Sequence, residues 1–152
     1  MNILYKETQV GKILIGLIGG SIVGSIYLGY IFGYSILCFG LILFLSFFFL
    51  LYSFMRTEVD RYKISITLGW ILKKNIDVSE IKEISNFEEP LFYTWGIKPL
   101  ANGWIYSVDG YKAVKIILRD DTVYVIGTKN PEQLIQTLQS ITRNKVEIKK
   151  ES

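Results

Sequence analysis

Histidine is absent from the 152 residues and cysteine occurs once, at Cys38. Those two scarcities exclude an intrachain disulfide, a Cys/His zinc site, an imidazole general base and triad-type nucleophilic chemistry. Charge is also missing, but only locally: residues 13–55 hold no Asp, Glu, Lys or Arg. No stretch carries five or six like charges in a row and the formal net charge is only +3, so nucleic acid is not an expected partner. These absences point away from an enzyme, with no cofactor or metal expected, and towards a membrane-anchored module.

What is present falls into two parts. Half of the residues are hydrophobic and the mean hydropathy is +0.32, greasier than an ordinary soluble domain. Yet 28 of the 31 charged residues lie from Arg56 onward. About 20 apolar helical residues cross a hydrocarbon core, so 43 uncharged residues suit two crossings. Gly29 and Gly33, with Tyr27, Tyr30 and Tyr34, mark the reversal, because glycine permits a tight turn and tyrosine favours the headgroup level. The expectation is a membrane α-helical hairpin with two transmembrane helices, at about 13–29 and 35–55. A secretory signal peptide fails as an alternative on length and on the lack of an A-x-A-like site before a second, greasier stretch.

Lys6 and Lys12 precede the first span, and Arg56, Arg61 and Lys63 follow the second. The positive-inside rule then makes the chain a multi-pass protein of a bacterial inner (cell) membrane with both termini cytoplasmic. Gly16, Gly20 and Gly24 recur at steps of four in the first span and form a smooth face. Its expected use is transmembrane helix packing against the second span, with homodimerisation as the alternative. Neither span carries an ionisable residue, which weighs against an ion or proton pathway.

From Glu58 onward short β-branched and aromatic runs alternate with polar residues, the period of strands. Turns are expected at Leu68-Gly69-Trp70, Asp109-Gly110 and Asp120-Asp121; the Asp-Gly pair should make a tight hairpin between 104–108 and 111–118. The result is a β-rich barrel of six or seven antiparallel strands. Asn130 suits an N-cap and Pro131 the first helical position, and Leu134, Ile135, Leu138 and Ile141 share one face. A C-terminal α-helix of about three turns should therefore cap the barrel. The organisation reads as a cytosolic N-terminal segment 1–12, spans within 13–55, a cytosolic domain 56–145 and a flexible tail 146–152.

Strands followed by one amphipathic helix, behind two spans, resemble the small bacterial membrane proteins that carry a pleckstrin-homology-like (PH-like) domain. The residues that carry the likeness are Trp95-Gly96-Ile97 and the stretch Gly103–Leu134, GWIYSVDGYKAVKIILRDDTVYVIGTKNPEQL. The resemblance implies a fold and a topology, with no agreed reaction or ligand. The Lys-x-n-Lys/Arg-x-Arg cluster of inositide-binding PH domains is not present, and the turn Leu68-Gly69-Trp70 is itself uncharged. Inositide binding is accordingly not carried over.

Several surfaces are candidates for contact. Phe92, Tyr93, Trp95 and Trp104 gather around Gly96, Pro99 and Gly103, where aromatic rings can anchor a partner or close the barrel core. Arg61, Lys63, Lys73 and Lys74 can meet anionic lipid, each charge contributing about 1 kcal/mol near a membrane, or simply form a solvated, topology-setting face. Glu88-Glu89 and Asp120-Asp121 are adjacent acids that suit turns better than converging catalytic pairs. Gly127-Thr128, before Lys129 and the helix start at Asn130, is a junction able to hold an anion, or an ordinary strand-to-helix connection. The expected function is a membrane-anchored interaction module, with membrane lipids and a protein partner or a homo-oligomer as its contacts. The alternatives are a membrane-surface enzyme subunit and a small two-span transport component.

Overall fold

In a computed structural model, described here over residues 3–87, 96–108 and 112–150 with side chains through Thr142, the chain forms nine strands and three α-helices among the described residues. Strand β1 spans Ile3–Val10 and is followed by helices α1 (Lys12–Phe32) and α2 (Ile36–Tyr52). Strands β2 (Phe54–Asp60), β3 (Lys63–Leu68) and β4 (Leu72–Asp77) come next. A short 3-10 turn, Val78–Glu80, leads to β5 (Ile81–Phe87), β6 (Gly96–Leu100), β7 (Gly103–Ser107), β8 (Ala113–Leu118) and β9 (Val123–Gly127). The last element is α3, Pro131–Lys150.

The strands make two sheets, one ordered β1-β2-β3-β4 and one ordered β5-β8-β9-β7-β6, in place of the single expected barrel. Two strands come from outside the expected set. β1 lies in the segment 1–12, and β6 lies among the glycine- and proline-containing residues before Trp104, where no strand is expected. The domain boundary expected at Arg56 therefore cuts through β2 and leaves out β1, which pairs with β2 from Ile3 opposite Asp60 to Val10 opposite Phe54. Pro99 is tolerated in β6 because that strand is the edge of its sheet, where a missing N–H costs no ladder bond.

The Asp109-Gly110 hairpin is corrected by the topology, although those two residues lie outside the described ones. β7 does not pair with β8; β9 runs between them, parallel to β7 with Trp104 opposite Tyr124, and antiparallel to β8 with Ile116 opposite Tyr124. β9 claims the central place because four of its five residues are buried, so it needs a neighbour on each side and cover on each face. The other turns form as expected. Gly69 has φ +52 at the β3–β4 turn, and Asp121, with φ +62, closes the β8–β9 turn in the left-handed region that aspartate accepts.

The core lies between the sheets and α3. Met55, Val59, Ile64, Ile66 and Leu68 of the first sheet meet Val114, Ile116 and Ile126 of the second, and Leu134 and Leu138 close it with no exposure. Ile141 completes the buried face of the helix, and Ile135 packs at its edge. The helix thus covers the sheets through the residues expected of it, but it continues to Lys150, past the expected end near Ile141 and through part of the expected tail.

α1 packs along α2, and the reversal is confined to 33–35; Gly29, expected near the turn, stays helical beneath the Tyr34 ring. The first expected span is longer than read. α1 has 21 residues and is long and apolar enough to cross a membrane, the one such helix among the described residues. The second is shorter. α2 has 17 residues, about 26 Å, because Phe54 and Met55 leave the helix to join β2. The half-buried faces of the pair run through Ile15, Ile18, Gly19 and Ile22 on α1 and Ile42, Leu45 and Phe49 on α2. Gly19 is the close position, 3.9 Å from the Phe49 ring at its missing Cβ. Gly16, Gly20 and Gly24 have nothing within 4 Å of theirs, so the expected seat for the second helix is corrected to the neighbouring face.

Two predictions follow from this core. Leu138→Ala should cost about 2–5 kcal/mol, read as a large fall in melting temperature, because its side chain is fully enclosed. Gln136→Ala, on the exposed side of α3, should leave the melt within error. The pairing of Val10 with Phe54 predicts further that replacing residues 11–53 by Asn-Gly will give a soluble domain with a cooperative melt. The fragment 57–145, deprived of β1 and Met55, should fail to show one.

Candidate functional site: a carboxylate clasp and a tryptophan groove

Glu7 projects from β1 towards the junction of β9 and α3. Its Oε2 accepts from Thr128 Oγ1 at 2.6 Å and from the Tyr5 hydroxyl; its Oε1 accepts from the Lys129 amide at 2.8 Å and from Gln9 Nε2 at 2.9 Å. Thr128 in turn accepts from the Asn130 amide at 3.1 Å, so one hydroxyl links the carboxylate to the start of the helix. Tyr5, Gln9 and Thr128 are all buried. The strand-to-helix junction thus does hold an anion, and the protein supplies it.

Burial alone would raise the Glu7 carboxyl, but hydrogen bonds from Thr128, Tyr5, the Lys129 amide and Gln9 hold it below the usual carboxylate value. Burial, and then the bond to Glu7, push the Tyr5 phenol well above its ordinary value, so it stays protonated as a donor. A carboxyl depressed in the folded state adds stability above its unfolded value and loses it as pH falls through the folded one. Glu7→Gln should therefore melt lower than the native chain at neutral pH. Below about pH 5 the native melting temperature should fall more steeply than the variant's, and equal acid slopes would rule out this role.

Trp104 is half-exposed on β7 and lines an open groove of about 530 Å³ with Pro99, Asn102, Asp120, Thr122 and Tyr124. Among the described residues the one carboxylate lining it, Asp120, accepts from its own turn, the Thr122 amide at 3.0 Å, which lowers its pKa. Beside that carboxylate the groove offers the Trp104 ring, the Asn102 amide and the Thr122 hydroxyl. Phe92, Tyr93 and Trp95, the expected companions of Trp104, lie outside the described residues, as do Glu88 and Glu89.

The four expected lipid-contact cations are dispersed. Arg61 and Lys63 sit at the far end of β2 and β3, some six residues or about 20 Å along the strand from where α2 gives way to β2. Lys74 lies over the Tyr124 ring, 5.5 Å from its centroid. Lys73 alone of the four is exposed on the outer face near the helical pair, in one cross-strand row with Thr67 and Arg56. Arg56 was legible as a flanking charge, but its alignment with Lys73 required the register.

Among the described residues no cluster of Cys, Asp and Glu is placed to hold a metal ion. Fold and site together define a β-rich domain of two sheets and a closing helix, joined through adjacent strands to an apolar helical pair. No family model, curated protein or solved structure matches the chain.

Proposed function

We propose that the chain is a non-catalytic, membrane-anchored interaction module. In this reading α1 and α2 both cross the bilayer as a hairpin, and a PH-like domain stands at the cytoplasmic surface. There it presents the Trp104 groove to a partner protein or to a second copy. The observation that carries the reading is the β1–β2 ladder: Val10, two residues before α1, faces Phe54, two residues after α2. Both ends of the apolar pair are thereby anchored in one sheet, so the strands that flank it belong on one side of any membrane it enters. The large side chains left exposed along the pair, among them Leu17, Val23, Phe32, Leu43 and Phe44, suit contact with lipid.

The PH-like reading draws on the two sheets closed by a C-terminal helix, and on the stretch from Gly103 to Leu134, which supplies β7, β8, β9 and the start of α3. A reporter fused after Ser152 should be active only in its cytoplasmic form; activity of a periplasm-dependent reporter there would end the hairpin reading. In native membranes, a photo-crosslinking residue at Trp104 should trap a discrete product that the same residue at the exposed Gln136 does not. Identical products from both positions would remove the groove from the proposal.

A further inference from the structure

The β3–β4 turn exposes apolar side chains at a place where a soluble domain would hide them. Trp70 is 78% exposed, Ile71 49% and Leu72 43%, three consecutive residues at the tip of a hairpin. The register explains where that tip points. Leu68 pairs with Met55, just after α2, so the turn is folded back to the root of the helix instead of standing at the far end of the sheet. The approach is close: a Cβ on Gly69 would lie 2.1 Å from the Leu50 carbonyl oxygen and 2.6 Å from that of Leu51. Only glycine fits there, and its φ of +52 suits it as well. The Trp70 ring then stands edge-on to Phe54, 5.6 Å between centroids, on the outer side of the sheet. Leu50 and Phe47 of α2 are also exposed, and the turn lies against the Leu50 carbonyl of that helix.

We infer that this turn is a second membrane contact, in which Trp70, Ile71 and Leu72 enter the interfacial layer of the bilayer while Arg56 and Lys73 meet its anionic headgroups. The inference rests on the reading that the helical pair lies in the membrane. An indole prefers the boundary between hydrocarbon and headgroups, where its ring is buried and its N–H remains satisfied. Arg56 and Lys73 both oppose Thr67, and paired residues share a face, so the two cations stand on the outer side one row from the tip. Basic side chains at that depth are drawn to anionic lipid. The contact fixes the sheet at two places, the helical root and the turn, and so limits how the domain can tilt over the surface.

The full chain can be tested in vesicles whose lipids carry bromine at a shallow position on the acyl chain, using Trp70→Phe to isolate one emitter. Native emission should lose a component to shallow bromine that Trp70→Phe lacks. Equal fractional quenching of both proteins would overturn the inference, whether the turn lies in water or beneath a protein partner. An alkaline carbonate wash separates this failure from that of the underlying reading: a chain released by the wash was never embedded, whereas a retained chain with no Trp70 component refutes only the turn's insertion. Raising the share of anionic lipid should increase the Trp70 component in the native chain. It should do so in an Arg61→Gln/Lys63→Gln chain as well, but not in Arg56→Gln/Lys73→Gln. Identical behaviour of the two double variants would dismiss Arg56 and Lys73 as the headgroup contact.

Discussion

β1 and β2 are separated by the entire apolar segment, yet they pair along their length with Val10 facing Phe54. Loop closure grows only slowly with length, by about 0.6 kcal/mol per doubling, and a connection that is itself two packed helices returns its ends together. The helical pair therefore behaves as a long hairpin connection within one sheet. Gly11 shows how tightly that root is built, since a Cβ there would lie 2.9 Å from the Tyr52 carbonyl oxygen and 3.2 Å from that of Val108. Strand ends, helix ends and the second sheet meet at this one place.

The Glu7 clasp extends the same constraint across the domain. Among the described residues β1 is the edge strand of its sheet, with β2 as its ladder partner. Edge strands held on one side detach most readily, and here the free side is tied by a carboxylate that gathers donors from Tyr5, Gln9, Thr128 and the Lys129 amide. Charge-assisted bonds to a partly buried carboxylate are stronger than neutral ones, and the geometry uses both oxygens. Because Thr128 also receives the Asn130 amide, β1 at Glu7 and the residue that leads into α3 are linked through one hydroxyl. The two amides that lead into α3, those of Lys129 and Asn130, are thereby satisfied from within the chain.

Much of the architecture was legible because it rests on local rules. Period-two alternation located most strands, and the spacing of Leu134, Leu138 and Ile141 identified the closing helix and the face that it buries. What stayed hidden depends on pairing between distant residues. Nothing in Ile3–Val10, with only Tyr5 and Gln9 fully turned inward, announces a strand whose partner begins at Phe54. The Asp-Gly dipeptide is a sound local signal, but the buried sequence of β9 outweighs it and takes the position between β7 and β8. The glycine steps at 16, 20 and 24 were equally sound, and helix rotation set Gly19 against Phe49 instead. The cations expected to meet lipid divide for the same reason: sequence proximity to α2 favoured Arg61 and Lys63, while strand direction carries them away and brings Lys73 back.

Strand direction is also what gives the domain two unlike ends. β2 leaves α2 at Phe54 and reaches Asp60 about 20 Å on, so every antiparallel neighbour alternates between the helical root and the far side. At the root lie Gly69, Trp70 and the row of Arg56, Thr67 and Lys73. In the second sheet, Gly96 at the start of β6 approaches the Tyr52 ring, and Ser107 at the end of β7 faces it across the ladder, which puts the opposite ends of those strands, Leu100 and Gly103, away from the root. The Trp104 groove opens at that second end. The proposed membrane contact and the proposed partner groove thus fall at opposite ends of the domain, so neither covers the surface that the other needs.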